Sequence, residues 1–283
     1  MRAVKKDKLR VKTFNVASQT MHYQDIGEGP VLVFGHSYLW DHTMWADQIA
    51  ALSQSYRCIV PDCWGHGQSM VAPAATRSFA DYARDVLALL DALSIETFSL
   101  VGLSSGGMWA TEIAIQAPTR VQALILMDTF VALEPQVAHA KYFNMIETVE
   151  SAQRFTPEAV DFIVPLHAST QSANSDWLMA FKDRLLAMGP EQACALAKMG
   201  RMVYGRRDMF EEAEELTIPT LIMVGAEDKM RPVLESYLMH DGIVGSELVV
   251  LPGAGHMINL EQPDVVTQHL SAFLNKHVLT MAS

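Results

Sequence analysis

Residues 100–109 read LVGLSSGGMW: an apolar run, then four small residues, then an apolar pair. The pattern predicts a strand over 97–103 and a helix over 105–117 that Pro118 stops. Gly102-Leu103-Ser104-Ser105-Gly106 fits G-x-S-x-G, with Ser104 and not Ser105 at its centre. A strand that turns at once into a helix strains the residue at the apex and crowds its neighbours, so the flanking positions must be small. The strain lifts the apex hydroxyl clear of the sheet, and the amino end of the following helix favours negative charge developing beside it. Ser105 opens that helix, so its useful group is the backbone N–H. Gly-Ser-Gly runs are also ordinary turn material. A strand before and a helix after is the context that favours an exposed, reactive serine.

Outward from this turn the chain keeps alternating. Apolar runs at 31–36 (VLVFGH), 56–61 (YRCIVP) and 121–128 predict buried strands, with 9–16 and 19–25 as two leading strands. Helical patterns cover 42–53 and 79–93; in the second, Phe79, Tyr82, Ala83, Val86, Leu87, Leu90 and Leu93 share a face. Ser78 and Asp81 make a capping box at its start. At about residue 131 the strands stop, and helical patterns run to about 215. One of these puts Trp177, Phe181, Leu185 and Met188 on one face, ended by Gly189-Pro190. Strand signals return at 219–228 and 246–256, before a last helix over 261–277. The expectation is an α/β fold with a mostly parallel twisted sheet. Its core is 1–130 and 216–283, and 131–215 is a helical insertion able to lie over the strand ends as a lid.

Half of the 283 residues are hydrophobic and 19% are charged, enough for a large core. A formal charge of −11 argues against a nucleic-acid partner, which needs a basic stripe. Cys58, Cys63 and Cys194 are too few for a disulfide framework and point to a reducing compartment. The basic start MRAVKKDKLRVK is followed by no apolar core of a signal peptide and reads as a solvated arm. No apolar run approaches the roughly 18 residues of a membrane span. The expectation is a soluble cytoplasmic protein without a membrane partner. The ten histidines show no metal-ligand spacing and no G-x-x-x-x-G-K-[ST] occurs, so neither metal nor cofactor is expected.

A serine hydroxyl at neutral pH needs a base. The strand–turn–helix motif then demands an acid and a histidine downstream, each after a strand. Asp228, in GAEDKMRP, and His256, in PGAGHMINLEQPD, meet that demand. His256 takes the Ser104 proton and returns it to the leaving group, while Asp228 holds the imidazole tautomer. Asp128, directly after strand 121–127, is the rival acid; the G-x-x-D turn favours Asp228. His36 and His66 lie upstream of the serine and read as hydrogen bonders that order loops. In PDCWGHGQS, Gly65 and Gly67 permit a tight turn, with Asp62 and Ser69 in local hydrogen bonds.

Five stretches in this order, GHSYLW, PDCWGHGQS, GLSSGG, GAEDKMRP and GAGHMINLEQPD, make nearly the whole chain resemble an α/β-hydrolase with a helical cap. The resemblance implies that the backbone N–H groups of Tyr38 and Ser105 form the oxyanion hole, where each donor is worth ~10²–10³ in rate. The family usually has His-Gly before the first donor; here it is His36-Ser37. That departure, with HTMW at 42–45 and NLEQPD near the end, resembles the 3-oxoadipate enol-lactonase-like branch. Ser37, Trp40 and Trp109 are candidates for the pocket wall, although Trp109 fits the helix–sheet core equally well.

A serine at the elbow favours acyl transfer to water over the carboxylate-nucleophile chemistries of related enzymes. The primary expectation is a carboxylic-ester hydrolase acting on small or medium esters through an acyl-enzyme. Its expected substrates are uncharged, because nothing in the sequence fixes a charged group. Arg184, Arg201, Arg206 and Arg207 in the insertion are the candidate cations, with exposed surface charge as their simpler reading. Met145, Met179, Met188, Met199, Met202 and Met209 in the insertion suit a soft apolar pocket, or simply its packing. The alternatives are an enol-lactonase, a C–C bond hydrolase of ring-cleavage products, and, from another class, a ligand receptor built on a hydrolase scaffold.

Overall fold

Apolar runs too short for helices, bounded by turn residues, form the centre of the sheet. The computed structural model describes residues 11–279. Its strands are β1 (Lys12–Val16), β2 (Gln19–Ile26), β3 (Val31–Gly35), β4 (Arg57–Pro61), β5 (Phe98–Leu103), β6 (Val121–Met127), β7 (Thr220–Gly225) and β8 (Glu247–Leu251). They make one sheet in the order β1-β2-β4-β3-β5-β6-β7-β8. The β1–β2 and β2–β4 pairs are antiparallel and all others parallel. β5 and β7 are buried at every position, as parallel strands covered on both faces must be. This is an α/β fold with a mostly parallel sheet. Residues 9 and 10 of the first expected strand, and most of the basic arm, lie outside the described residues.

Helices α1 (Ala46–Leu52), α2 (Phe79–Ala92) and α3 (Ser105–Gln116) connect the first four parallel strands, β3 to β6. The segment expected as one helix over 42–53 begins as a tighter 3₁₀ turn, His42–Trp45, capped by Asp41. In α2 the buried face is Phe79, Tyr82, Ala83, Val86, Leu89 and Leu90; Leu87 and Leu93 pack only partly against the core. Ser78 Oγ accepts from the Asp81 N–H at 3.2 Å, while the Asp81 carboxylate accepts from the Arg77 N–H, one residue earlier than a standard box. After β7 come α9 (Val233–Gly242), unforeseen in the sequence, then α10 (Ile258–Glu261) and α11 (Pro263–His277). The intervening labels belong to α4 (Gln136–Ala152), α5 (Pro157–Ile163), α6 (Asp176–Ala187), α7 (Pro190–Tyr204) and α8 (Phe210–Glu214), all between β6 and β7.

The insertion is fastened to the loop after β3. Tyr38 Oη donates to the Leu196 carbonyl of α7 at 2.9 Å. Arg184 of α6 donates to the Leu39 carbonyl at 2.7 Å and pairs with Asp41 at 3.2 Å. Trp40 stacks on Phe181, ring centroids 4.5 Å apart. The helices of 131–215 therefore meet the carboxyl ends of the parallel strands, the edge at which open α/β sheets place their sites.

Candidate active site

Ser104 sits between β5 and α3 with φ 55° and ψ −118°, a region that costs a non-glycine residue about 1–3 kcal/mol. Its surroundings impose that conformation. The Ser104 N–H donates to the Met127 carbonyl at 2.8 Å, and Thr129 Oγ1 donates to the Ser104 carbonyl at 2.7 Å. The glycines let α3 approach the sheet: a Cβ on Gly106 would lie 2.0 Å from the Gly35 carbonyl oxygen, and one on Gly102 only 2.4 Å from the Gly106 carbonyl.

Asp228 follows β7 and His256 follows β8. Asp228 Oδ1 accepts from the N–H groups of Met230 (2.8 Å) and Arg231 (2.9 Å), which fixes the carboxylate. Its Oδ2 lies 2.9 Å from His256 Nδ1. A carboxylate only accepts, so Nδ1 carries the proton and Nε2 the lone pair. That Nε2 is buried and makes no hydrogen bond, to Ser104 or to anything else described. Asp128, the rival acid, is fully buried beyond β6 and accepts from the Gly225 N–H at 2.9 Å. Burial, then the neighbouring Asp228, push its pKa well above the carboxylate range. It has no bond to His256.

The loop after β3 is braced by two neutral histidines. His36 Nδ1 donates to the Ser37 carbonyl (2.8 Å) and its Nε2 accepts from the Cys63 N–H (2.9 Å). His66 Nδ1 donates to the Trp64 carbonyl (3.1 Å) and its Nε2 accepts from the Leu39 N–H (3.0 Å). Burial lowers both pKa values, and each ring uses both nitrogens as a neutral imidazole. The bracing leaves the Tyr38 N–H without a partner, and the Ser105 N–H, at the first helical position, has none within its helix.

Ser104 opens onto a cavity of about 10 Å³, roughly one water in size, lined by Ser37, Tyr38 and Met108 together with groups that sequence reasoning did not select. These are Glu134, His167, Val203, Tyr204, Met230 and Arg231. Burial pushes the His167 pKa down to about 3, with His256 adding to the effect; its Nδ1 donates to the Ile163 carbonyl at 2.9 Å. A far larger cavity, about 730 Å³, lies between the 64–80 loop and α7 and does not include Ser104 or His256.

Of the expected wall residues, Ser37 lines the Ser104 cavity; Trp40 and Trp109 do not. Trp40 belongs to the seam with the insertion. Trp109 is fully buried beneath α3, edge-on to Tyr82 at 5.5 Å, because the missing Cβ of Gly35 leaves its ring a slot. Arg184 is spent on Asp41, Arg201 on Glu150, and Arg207 on Glu112 and Glu212. Arg206 is instead buried against Glu134 at 2.8 Å. The cation at the cavity wall is Arg231, buried there and not among the four arginines that the sequence singled out.

A family model described as "alpha/beta hydrolase fold" matches residues 30–263, and the chain belongs to that family. It is a hydrolase. It is 29% identical over 249 residues to a 3-oxoadipate enol-lactonase of Acinetobacter baylyi, covering 87% of this chain and 88% of that one. It is 26% identical to the carboxylesterase YbfK of Bacillus subtilis, covering 87% and 81%. The structure of a thermophilic esterase from Thermogutta terrifontis superposes with a TM-score of 0.82 at 28% identity, over 95% of this chain and 98% of that one. Among the described residues no helix is long and apolar enough to cross a membrane.

Proposed function

We propose that the chain is a serine carboxylic-ester hydrolase that works through an acyl-enzyme on Ser104. The observation that carries this reading is the strained Ser104 turn together with a His256 whose tautomer Asp228 fixes and whose Nε2 is unengaged. Ser104 Oγ attacks the ester carbonyl as its proton passes to His256 Nε2. The negative oxygen meets the N–H groups of Tyr38 and Ser105. Collapse breaks the bond to the alkoxy oxygen, which leaves as the alcohol with the proton from His256. Water then attacks the acyl-enzyme, giving its proton to the same nitrogen, and Ser104 recovers it as the acid departs. A lactone is an internal ester and follows the same steps, and the enol-lactonase relative supports that substrate class.

The 131–215 insertion is the cap. A cavity of about 10 Å³ holds no ester, so the cap shifts to admit one, loosening the Tyr38–Leu196 and Arg184–Leu39 bonds. The unpaired buried Cys58 and Cys63 suit a reducing, cytoplasmic setting. The test is p-nitrophenyl butyrate hydrolysis by the wild type and Ser104→Ala. The variant is expected to lose up to ~10⁶ of turnover. Equal rates in the two proteins refute the assignment. A folded, inactive wild type that splits a vinylogous diketone is a C–C hydrolase instead, and one that only binds is a receptor.

A further inference from the structure

The cavity of about 730 Å³ between the 64–80 loop and α7 has the size of a small-molecule site, ~300–1,000 Å³. Ser104, His256 and Asp228 do not line it. Loop and helix touch at one side of it, where a Cβ on Gly65 would lie 2.8 Å from the Ala195 carbonyl oxygen. Buried Trp64 and Phe79 line the cavity together with four methionines, Met70, Met199, Met202 and Met209. Thioether side chains adapt to irregular apolar shapes, so this lining suits an apolar body.

The charge of the lining runs against that of the chain. Five of the 21 basic residues line the cavity, but only two of the 32 acidic ones. Three of the five cations are already paired: Arg201 with Glu150, Arg206 with Glu134, and Arg207 with Glu112 and Glu212. Arg77 and Lys198, both exposed, have no ion pair among the described residues. They belong to opposite walls, Arg77 to the loop and Lys198 to α7. The only other charged group of the lining is Glu191, in the first turn of α7. A negative head at this cavity therefore meets two unpaired cations against one carboxylate, which gives the site a net attraction for anions.

We propose that this cavity is a second binding site, separate from Ser104, for an amphipathic anion whose apolar chain lies between α7 and the 64–80 loop and whose head meets Arg77 and Lys198. A bound molecule touches both the insertion and the core and holds one to the other. The inference does not rest on the esterase reading, and its test uses no turnover. Cys194 lines the cavity and serves as the reporter. Cys58 and Cys63 are sealed in the core, where burial pushes both thiols up to about 12 and keeps them inert. Alkylation of the intact protein by iodoacetamide, read by mass spectrometry at Cys194, is followed with 1-octanesulfonate, methanesulfonate or 1-octanol, in the wild type and in Ser104→Ala. Octanesulfonate at ten times its Kd is expected to slow alkylation about tenfold in both proteins and to raise Tm, because ligand shields and stabilises the occupied state. Methanesulfonate, a head without a chain, is expected to give no protection, and octanol, a chain without a charge, about fivefold less. Reversing both exposed cations, with Arg77→Glu and Lys198→Glu together, is expected to erase the advantage of octanesulfonate over octanol. Alkylation of Cys194 that octanesulfonate does not slow, equal protection by octanol, or a preference that survives charge reversal each overturns the inference and leaves the esterase reading as it stands.

Discussion

Two carboxylates stand near His256, and exchanging each for its amide separates their roles. Asp228 receives three donors: two backbone N–H groups on Oδ1 and the imidazole on Oδ2. An asparagine has one acceptor oxygen. In Asp228→Asn that oxygen stays with the Met230 and Arg231 amides, since turning it away would set an NH₂ against two N–H groups. The NH₂ then faces Nδ1 and selects the other tautomer, so Nε2 carries a proton and is no base. The expected loss is ~10⁴ in kcat, equivalent to about 5 kcal/mol. Asp128 differs. Its Oδ1 accepts from the Gly225 N–H, its Oδ2 is buried without a hydrogen-bond partner, and burial next to Asp228 pushes its pKa well above the carboxylate range. An amide has the shape of that carboxyl, keeps an oxygen for the Gly225 N–H and buries no charge, so Asp128→Asn is expected to change kcat by less than about fivefold, within ~1 kcal/mol. Both variants are assayed on p-nitrophenyl butyrate over pH 5–9, with melting curves to establish folding. A larger loss in Asp128→Asn than in Asp228→Asn refutes the assignment of the acid.

Gly106→Ala sets a Cβ 2.0 Å from a backbone oxygen that cannot retreat, so a destabilisation of about 3 kcal/mol or more is expected, read as lost soluble yield or a lowered Tm. Gly189→Ala, with no atom within 4 Å of the new Cβ, is the control and is expected to melt with the wild type. Buried neutral His36, His66 and His167 make the fold acid-sensitive. Their folded pKa values lie below the unfolded value of about 6.5, so the unfolded chain binds the extra protons and stability falls as pH drops below 6.5, for His167 down to about 3. Each contributes up to about 1.4 kcal/mol per pH unit in that window. Melting at pH 5.5 is expected several degrees below melting at pH 7.5, and a flat Tm between the two contradicts the neutral assignment.

The elbow was legible because its constraints are local: small residues at fixed spacing between a strand and a helix. The acid and the histidine were legible because chain order and strand ends locate them without knowledge of packing. The charged wall was not. Arg231 lies in the same GAEDKMRP turn as Asp228, yet only the fold shows its side chain turning inward to meet Glu134, 97 residues away in sequence. Tyr204 and His167 come from insertion helices whose periodicity says which face is apolar but not which residue overlooks the serine. Helix α9 escaped notice because its pattern is inverted. It buries Glu235, Ser236 and Met239 and leaves Leu234, Tyr237 and Leu238 exposed, so no apolar stripe marks its core face. Trp109 was ambiguous for a related reason, since its position four residues into α3 depends on how closely the glycines let that helix approach β3.

The buried charges and the strained serine share an energetic logic. Replacing a buried ion cluster by apolar side chains of similar volume is often neutral or stabilising, by about 1–4 kcal/mol. Arg206, Glu134, Arg231 and Glu235 are therefore poor devices for holding α9 and the insertion to the sheet. The Ser104 conformation likewise lowers stability, by about 1–3 kcal/mol. Glu134, Arg231 and Ser104 share the wall of one small cavity at the carboxyl edge of the sheet, while the apolar core beneath, with β5 and β7 wholly buried, carries the stability that offsets them.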